Sequence, residues 1–265
     1  MTLDIIDTAS LLLIGLFAGM LGGLAGLGGS IIMIPAMAVL FHGRPFDNQH
    51  LYQAASMAVN VCVSIPAALR HRRAGMIRAD LFRAMVPATV VMIVVGVGVS
   101  NAIDSKALEA CFAVFVVCVA VQTIWSAARR CPDVDESLAR VDWKRGWVVG
   151  GVMGFFAGLL GVGGGVVAVP LAVVVCRLPL KKCIAASAAV MGVTSAFGAA
   201  IKLGTLPSHG FTMAQGLLLA LALAPTAVVG GFVGAGLTKA LPLVWVRVVL
   251  GVLLLATSAK MVGVW

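Results

Sequence analysis

Long apolar segments separated by short polar stretches dominate the hydrophobic pattern of the chain. Each segment is long enough for a helix that crosses a membrane, which needs about 20 apolar residues. None shows the alternation of apolar and polar residues that is typical of strands in a membrane barrel. The pattern predicts an all-α polytopic membrane protein with apolar segments near residues 9–41, 50–69, 81–101, 107–127, 147–176, 183–203, 211–238 and 243–263.

The eight segments form two similar groups of four, which predicts two copies of one structural unit. The motif GLGGS at 26–30 matches GVGGG at 161–165, and a proline follows each motif at the same offset. Downstream, QAASMAVNVCVS (53–64) matches IAASAAVMGVTS (184–195). Paired repeats of this kind are common in secondary transporters. The expected organisation is a first membrane repeat (1–127), a charged cytoplasmic linker (128–146) and a second membrane repeat (147–265).

The opening segment of each repeat is too long for a single crossing and contains the glycine motif. Glycine and proline weaken a helix interior, so the motif predicts a break near the membrane midplane. Either this segment crosses the membrane, or it enters, turns at the glycines and leaves on the side where it entered. The second arrangement places more Lys and Arg on the linker side, as the positive-inside rule requires. We therefore expect two inverted repeats, the first segment of each broken or re-entrant at a Gly-rich turn.

The composition agrees with a membrane protein. The chain is 61% hydrophobic and 11% charged, whereas about 25% of the residues of a soluble domain are charged. The net charge of +9 fits cytoplasmic loops better than a nucleic-acid-binding surface. The first ten residues contain two aspartates and no basic residue. We therefore expect the first apolar segment to remain in the mature protein rather than to be a signal peptide.

The glycine breaks offer a way to bind an anion without a charged side chain. A helix that begins at a glycine turn presents free backbone N–H groups and the positive end of its dipole. Ser30 is expected to act there as an N-cap or a hydroxyl donor. The predicted binding positions at the breaks are Gly28, Gly29, Ser30, Gly163, Gly164 and Gly165. Glycines elsewhere, at positions 15, 19, 96 and 98, are expected to allow close packing of helices.

Polar residues recur on one face of the second segment of each repeat. In the first repeat they are spaced by three, four and four residues, which places them on one side of a helix. Such residues can simply form hydrogen bonds between helices, but two matching stripes beside the breaks favour a shared polar cavity. The side chains predicted to bind substrate are Gln53, Ser56, Asn60, Ser64, Ser187, Thr194, Ser195 and Lys202. Lys202 has an alternative interpretation, in which its amine extends to the membrane interface.

The near absence of carboxylates from the apolar segments argues against a carboxylate proton relay. It favours export of an anion driven by the membrane potential. Motifs of hydrolases, metallopeptidases and nucleotide-binding proteins are absent, and the four histidines form no ligand cluster in the sequence. We expect no catalytic residue, no metal and no cofactor. The six cysteines lack CxxC spacing and are expected to be small buried hydrophobic residues.

The repeated motif resembles the sulfite exporter TauE/SafE family, also called the 4-toluene sulfonate uptake permease family. The resemblance rests on GLAGLGGSIIMIP and GLLGVGGGVVAVP, each followed by a helix of small residues, AASMAVN or AASAAVM. It extends over nearly the whole chain. The resemblance implies a bacterial inner-membrane carrier that works by alternating access. It also implies a small anionic substrate, often containing sulfur, such as sulfite, a sulfonate or sulfoacetate.

Together these observations predict a multi-pass secondary transporter, more exporter than importer, in the bacterial inner membrane. Its expected partners are the small anion and the lipid bilayer, and no nucleic acid; the Gly-rich faces permit a homodimer without requiring one. A membrane scaffold or assembly factor that transports nothing is an alternative interpretation. A membrane-embedded enzyme is less favoured because the sequence offers no nucleophile paired with a base.

Overall fold

A computed structural model describes residues 4–25, 28–128 and 139–237. The described residues form nine α-helices and one short 3-10 helix at Leu206–His209, and they contain no strand. The helices are α1 (Ile5–Ala25), α2 (Ser30–Leu40), α3 (Gln49–Arg73), α4 (Ala79–Ala102), α5 (Ser105–Ala128), α6 (Trp143–Leu160), α7 (Gly165–Cys176), α8 (Leu180–Thr205) and α9 (Met213–Leu237). The expected last segment, 243–263, lies outside the described residues.

Six helices are long and apolar enough to cross a membrane, namely α1, α3, α4, α5, α8 and α9. Large apolar side chains cover their outer faces, among them Val95, Val121 and Leu221. By contrast, α2 and α7 have 11 and 12 residues. At about 1.5 Å per residue they reach only about half of the 30 Å hydrocarbon core. The prediction of an all-α, multi-pass membrane protein is confirmed.

The predicted interruption of each opening segment is present. Between α1 and α2, Gly28 has φ +80°, and between α6 and α7 three glycines have φ between +68° and +81°. This left-handed conformation costs other residues roughly 1–2 kcal/mol, which explains why glycine stands at these turns. The helix α6 begins at Trp143, inside the predicted linker 128–146. The last four residues of the predicted linker thus form the first turn of α6.

Each short helix folds back along the helix before it. A methyl group added at Gly29 would lie 3.2 Å from the carbonyl oxygen of Ala18, eleven positions earlier. A methyl group at Gly164 would lie 2.7 Å from the carbonyl oxygen of Met153, also eleven positions earlier. Continuous helices would separate such residues by about 16 Å. The pairs α1–α2 and α6–α7 are therefore helical hairpins.

The two ends of each hairpin are also tied together. The guanidinium Nη1 of Arg44, after α2, donates to both carboxylate oxygens of Asp7, in α1, at 2.8 Å. The backbone N–H of Arg140, before α6, donates to the carbonyl of Cys176, at the end of α7, at 2.9 Å. We call the region around Arg44 and the start of α3 the His50 end, and the region around Arg140 and the end of α7 the Cys176 end.

Glycines allow two pairs of helices to pack in close contact, α1 with α9 and α4 with α6. Methyl groups at Gly15, Gly19 and Gly96 would collide with backbone oxygens of the neighbouring helix. The packing role predicted for these three glycines is confirmed. The same prediction is wrong for Gly98, which lies on the outer face of α4, where an added methyl group would have nothing within 4 Å. Periodicity explains the difference, because two residues along a helix change the face.

The cysteines are less uniform than expected. Cys176 and Cys183 are buried, as predicted. The prediction is wrong for Cys62, Cys111 and Cys118, which lie on exposed faces of α3 and α5. A thiol is apolar enough to face lipid, so an apolar segment alone cannot distinguish a lipid-facing cysteine from a buried one. Cys131 lies outside the described residues.

Two glycines of α4 give a matched test of this packing. We expect Gly96→Ala to lower the stability of the purified protein by about 1–3 kcal/mol, because the added methyl group meets the carbonyl oxygen of Phe155. Gly98→Ala, two residues away, should leave stability unchanged or slightly higher, since alanine favours a helix. Thermal unfolding in detergent measures both, and equal midpoints for the two variants would contradict the packing assignment.

Candidate functional site

The two helix breaks meet at the side chain of Asn60 on α3. A methyl group at Gly28 would lie 3.6 Å from Asn60 Oδ1 and 2.8 Å from Met191 Sδ. A methyl group at Gly163 would lie 2.8 Å from Asn60 Nδ2 and 3.1 Å from Ser195 Oγ. Asn60, Met191 and Ser195 are all buried. Glycines from both halves of the chain thus approach one polar side chain: an added methyl group would be in ordinary contact with Asn60 at Gly28 and would collide with it at Gly163.

Ser30 connects the first break to α3. Its Oγ accepts a hydrogen bond from Asn60 Nδ2 and donates to the carbonyl oxygen of Ser56 at 3.4 Å. The N-cap of α2 is Gly29, and no side chain caps the helix. Of the two roles expected for Ser30, N-cap or hydroxyl donor, the N-cap role is wrong, and its hydroxyl serves the contact between α2 and α3. The first backbone N–H groups of α2 lack acceptors within their own helix.

The second break is built from backbone alone. Gly164 is the N-cap of α7 with φ +81°, it has no side-chain cap, and Gly165 is the buried first residue of the helix. Gly29 and Gly164 face back toward α1 and α6, with Ala18 and Met153 as neighbours. Among the predicted glycines, Gly28 and Gly163 are the two whose missing side chains would point toward Asn60.

Helices α3 and α8, which lie next to the two breaks, contain buried polar atoms without a hydrogen-bond partner. Those near the breaks belong to residues that are at most 1% exposed. Leaving such an atom unpaired costs roughly 1–3 kcal/mol, so folded proteins rarely do so without a reason. Near the breaks, on α3 and α8, these atoms are Ser56 Oγ, Asn60 Oδ1, Ser187 Oγ and Ser195 Oγ. Gln49 and His71, near the two ends of α3, also have such atoms but are more exposed. Three hydroxyl donors and one amide are suited to a polar ligand.

Two other predicted hydroxyls are already used inside their own helices. Ser64 Oγ donates to the carbonyl of Val61 at 3.1 Å, and Thr194 Oγ1 donates to that of Val190 at 2.9 Å. Both residues are buried on the predicted stripes. Their hydroxyls are less available to a ligand than that of Ser195, which lies beside Gly163.

Lys202 and Gln53 belong to a second polar cluster, closer to the His50 end. Lys202 is 1% exposed, so the alternative in which its amine extends to the interface is wrong. Its Nζ lies 2.8 Å from Ser100 Oγ and 3.1 Å from both Asn101 Oδ1 and His50 Nδ1. The hydroxyl of Ser100 in turn donates to Gln53 Oε1 at 3.2 Å.

Gln53 joins this cluster to the second break. Its Nε2 donates to the carbonyl of Leu159 at 3.2 Å, next to the end of α6. A methyl group at Gly161 would lie 2.7 Å from Gln53 Cγ, so the turn and the side chain are in contact. Hydrogen bonds therefore run without interruption from Lys202 through Ser100 and Gln53 to the tip of the second hairpin.

His50, Ser100 and Asn101 were not among the predicted site residues. His50 could have been found, since it precedes Gln53 by three residues and extends the polar stripe by one turn. Ser100 and Asn101 end an apolar helix without any repeat or spacing that marks them. The ring of His50 also stacks on that of His209, with centroids 3.7 Å apart. Among the described residues, no group of three or more His, Cys, Asp or Glu could hold a metal ion.

Comparison with known proteins places this geometry in a family. Residues 11–261 match the family model described as Sulfite exporter TauE/SafE. A relative named probable membrane transporter protein YunE, from Bacillus subtilis, is 24% identical over 95% of this chain and 96% of its own length. No solved structure matches the chain.

A relative named probable membrane transporter protein MamO, from Paramagnetospirillum magneticum, is 28% identical over 94% of this chain. The match covers 43% of MamO, so this chain spans less than half of the length of that relative. A probable membrane transporter protein from Methanocaldococcus jannaschii is 29% identical over 76% of this chain and 74% of its own length. Since the family model matches nearly every residue, the chain belongs to the Sulfite exporter TauE/SafE family of membrane transporters.

Proposed function

We propose that the chain is a secondary transporter that exports a small anion, with sulfite, a sulfonate or sulfoacetate as the substrate class. The observation that carries this proposal is the meeting of both breaks at Asn60, beside the unpartnered hydroxyl of Ser195. Substrate binding and transport, rather than catalysis, are the role that we assign to this cluster. The family description, Sulfite exporter TauE/SafE, supports both the chemical class and the direction.

The donors at the breaks suit the oxygens of such an anion. Backbone N–H groups at the starts of α2 and α7 carry the positive ends of two helix dipoles. We assign the hydroxyls of Ser56, Ser187 and Ser195 as further donors. The backbone of Lys202 lies two turns from Ser195 along α8, a rise of about 10 Å, and its amine is bonded to Ser100, Asn101 and His50. Lys202 therefore adds positive potential without touching the anion, which leaves the binding weak enough for release.

The hairpins are proposed to be re-entrant, and the two repeats to be inverted. Non-helical backbone at membrane depth is tolerated where protein or a polar cavity surrounds it, and Asn60 and Gln53 supply polar groups at the two tips. One hairpin is tied at its base by Asp7 and Arg44, near the His50 end, and the other by Arg140 and Cys176. A substrate held between inverted hairpins can be exposed alternately to the two sides.

The distribution of charge supports an inner-membrane orientation with the Cys176 end in the cytoplasm. Among the described residues, the basic residues at the His50 end are Arg44, Lys106 and the buried Lys202, accompanied by Asp7, Asp47 and Asp104. At the Cys176 end they are Arg70, Arg72, Arg73, Arg78, Arg83, Arg140, Lys144, Arg145, Arg177, Lys181 and Lys182. The repeats proposed on this basis are residues 1–127 and 147–265, with the linker 128–146 cytoplasmic.

Anion binding to the purified full-length protein tests the proposed function most directly. A thermal-shift panel should include sulfite, methanesulfonate, sulfoacetate, acetate and chloride at equal ionic strength. A ligand at one hundred times its Kd stabilises the folded state by about 2.7 kcal/mol, which is a measurable shift. We expect the sulfur oxyanions to raise the unfolding midpoint more than acetate or chloride. A panel in which no anion shifts the midpoint, with folded protein, would contradict the proposal.

Gly163→Ala tests whether the break approaches the anion. The methyl group would lie 2.8 Å from Asn60 Nδ2 and occupy the space between the break and α3. We expect at least tenfold weaker binding of the best anion from the panel, measured by titration. Gly75→Ala is the control, because Gly75 has φ +65° against +68° at Gly163 but has open space around it. Equal losses in both variants would indicate backbone strain rather than a site.

Ser195→Ala tests the hydroxyl donors. A hydrogen bond to a charged group contributes about 1.5–3 kcal/mol, so anion affinity should fall roughly ten- to a hundredfold. Thr194→Val is the neighbouring control, since its hydroxyl is bonded to Val190 within α8. It should bind the anion like the unmodified protein. Affinity that falls equally in both variants, or in neither, would remove Ser195 from the proposed site.

Single cysteines in a cysteine-free background test the orientation. We expect Ser208→Cys and Lys106→Cys, both exposed at the His50 end, to react with membrane-impermeant maleimide from the periplasm. Lys181→Cys and Lys144→Cys, exposed at the Cys176 end, should react only after the membrane is opened. Position 202 is too buried to serve as a reporter. Labelling of position 181 from the periplasm, opposite to position 144, would contradict the proposed re-entrant and inverted arrangement.

A further inference from the structure

Lys202 is a buried amine without an acidic partner. It is 1% exposed, and among the described residues no carboxylate lies within ion-pair distance of its Nζ. A buried charge that is not neutralised by a partner is strongly destabilising. Either the amine gives up its proton in this environment, or a negative charge arrives from elsewhere. In an anion transporter, the substrate itself can be that negative charge.

The neighbours of Lys202 are arranged to hold the protonated form. An ammonium group has three N–H donors, and Nζ has three acceptors within 3.1 Å, on Ser100, Asn101 and His50. The Nε2 of His50 faces the carbonyl oxygen of Ile103 at 3.2 Å. A carbonyl can only accept, so Nε2 carries the ring proton and Nδ1 is left to accept from Lys202. The three acceptors thus match the three N–H donors of an ammonium group, but the described part of the chain places no carboxylate within ion-pair distance to balance its charge.

Titratable groups connect Lys202 to the surface at the His50 end. His209, on the short 3-10 helix, is partly exposed and stacks on the His50 ring, and its Nε2 is buried without a partner. Asp104, in the turn between α4 and α5, is the carboxylate near His50, but it is exposed and accepts from the N–H of Ala107. From α4, Ser100 and Asn101 face Lys202 with neutral groups. The cluster of titratable groups thus extends from the buried Lys202 to the partly exposed His209.

We propose that Lys202, with His50 and His209, is a proton-binding site whose occupancy is linked to that of the anion site between the helix breaks. This inference rests on the proposed anion transport. The hydrogen bonds through Ser100 and Gln53 to the carbonyl of Leu159 provide the physical connection. The anion favours the protonated amine, and by linkage the protonated amine favours the anion to the same extent.

The linkage changes what drives transport. A proton that moves with a monovalent anion makes the step electrically neutral, so the membrane potential neither assists nor opposes it. Export then follows the outward concentration difference of the anion together with the pH difference. This replaces the expectation, based on the missing carboxylates, that the potential alone drives the anion. A lysine and two histidines take the place of the acidic relay.

Proton uptake on anion binding is the first test, and it needs no membrane. Methanesulfonate is the probe, because it stays fully ionised and cannot itself carry a proton. In weak buffer between pH 6 and 9, the unmodified protein should take up as much as about one proton per bound anion at some pH in this range. Lys202→Gln should bind methanesulfonate about tenfold more weakly, as the loss of a charge about 10 Å away requires, and should take up none. Equal proton uptake by this variant would overturn the inference.

Transport in proteoliposomes is the second test. Valinomycin with equal potassium on both sides sets the potential to zero, and the interior is made one pH unit more alkaline. At one proton per anion, labelled methanesulfonate should accumulate up to about tenfold. Lys202→Gln and Lys202→Arg should lose this accumulation but keep exchange of internal for external methanesulfonate at saturating concentration. Arginine keeps the positive charge but does not release its proton. A loss of accumulation in Lys202→Arg therefore shows that release of the proton is needed, and not only the charge.

The controls separate the inference from the proposed function. Lys106→Gln, an exposed lysine at the same end, should accumulate methanesulfonate like the unmodified protein. If the unmodified protein exchanges methanesulfonate but responds only to the potential and not to the pH difference, the proton site is excluded and anion transport stands. If it does not exchange any anion of the panel, the proposed function itself fails.

Discussion

The rest of the candidate site depends on the side chain of Asn60, which lies between the two helix breaks. A break in an apolar bundle leaves backbone groups that must find polar neighbours. Asn60 reaches both breaks: its amide donates to Ser30 at the start of α2 and lies beside Gly163 before α7. Glycine suits both turns because each has a positive φ, and an added methyl group would collide with Met191 at Gly28 and with Asn60 at Gly163. The position of Asn60 on α3, which packs along α8 in the middle of the bundle, follows from the need of both breaks for a polar neighbour.

The two halves share a scaffold but not a chemistry. Their helix pairs correspond, since α1 packs with α9 as α6 packs with α4, and the central pair is α3 with α8. At the centre, however, Asn60 corresponds in the repeat alignment to Met191, and Ser30 corresponds to Gly165. Polar side chains are thus concentrated on the first repeat, while the second contributes backbone and the hydroxyls of Ser187 and Ser195. One shared amide is less costly to bury than two facing amides, each of which would need its own partners.

Sequence reasoning succeeded where the signal is local. Apolar length and the glycine motif predicted the long helices and the two breaks, and three-and-four spacing placed Ser56 and Asn60 on the buried face of α3. It failed where the partner lies far away in the chain. The sequence leaves open whether Ser30 is an N-cap or a hydroxyl donor, because the acceptor that its hydroxyl uses, the carbonyl of Ser56, is 26 residues away. The contact of Lys202 with Ser100 spans 102 residues, and neither residue indicates the other.

The repeat alignment also relates the titratable groups at the two ends of the bundle. With the constant offset between α3 and α8, His50 corresponds to Lys181, and Lys202 corresponds to His71. Each end therefore carries one lysine and one histidine at equivalent positions. At the His50 end both are buried and bonded to each other, whereas at the Cys176 end Lys181 is exposed and His71 is only half-buried. Alternating access requires such inequality in any single conformation, because a carrier cannot be open at both ends. The two lysine–histidine pairs are equivalent in the repeat alignment but differ in burial. A change from one conformation to the other would therefore move a charged group into or out of water.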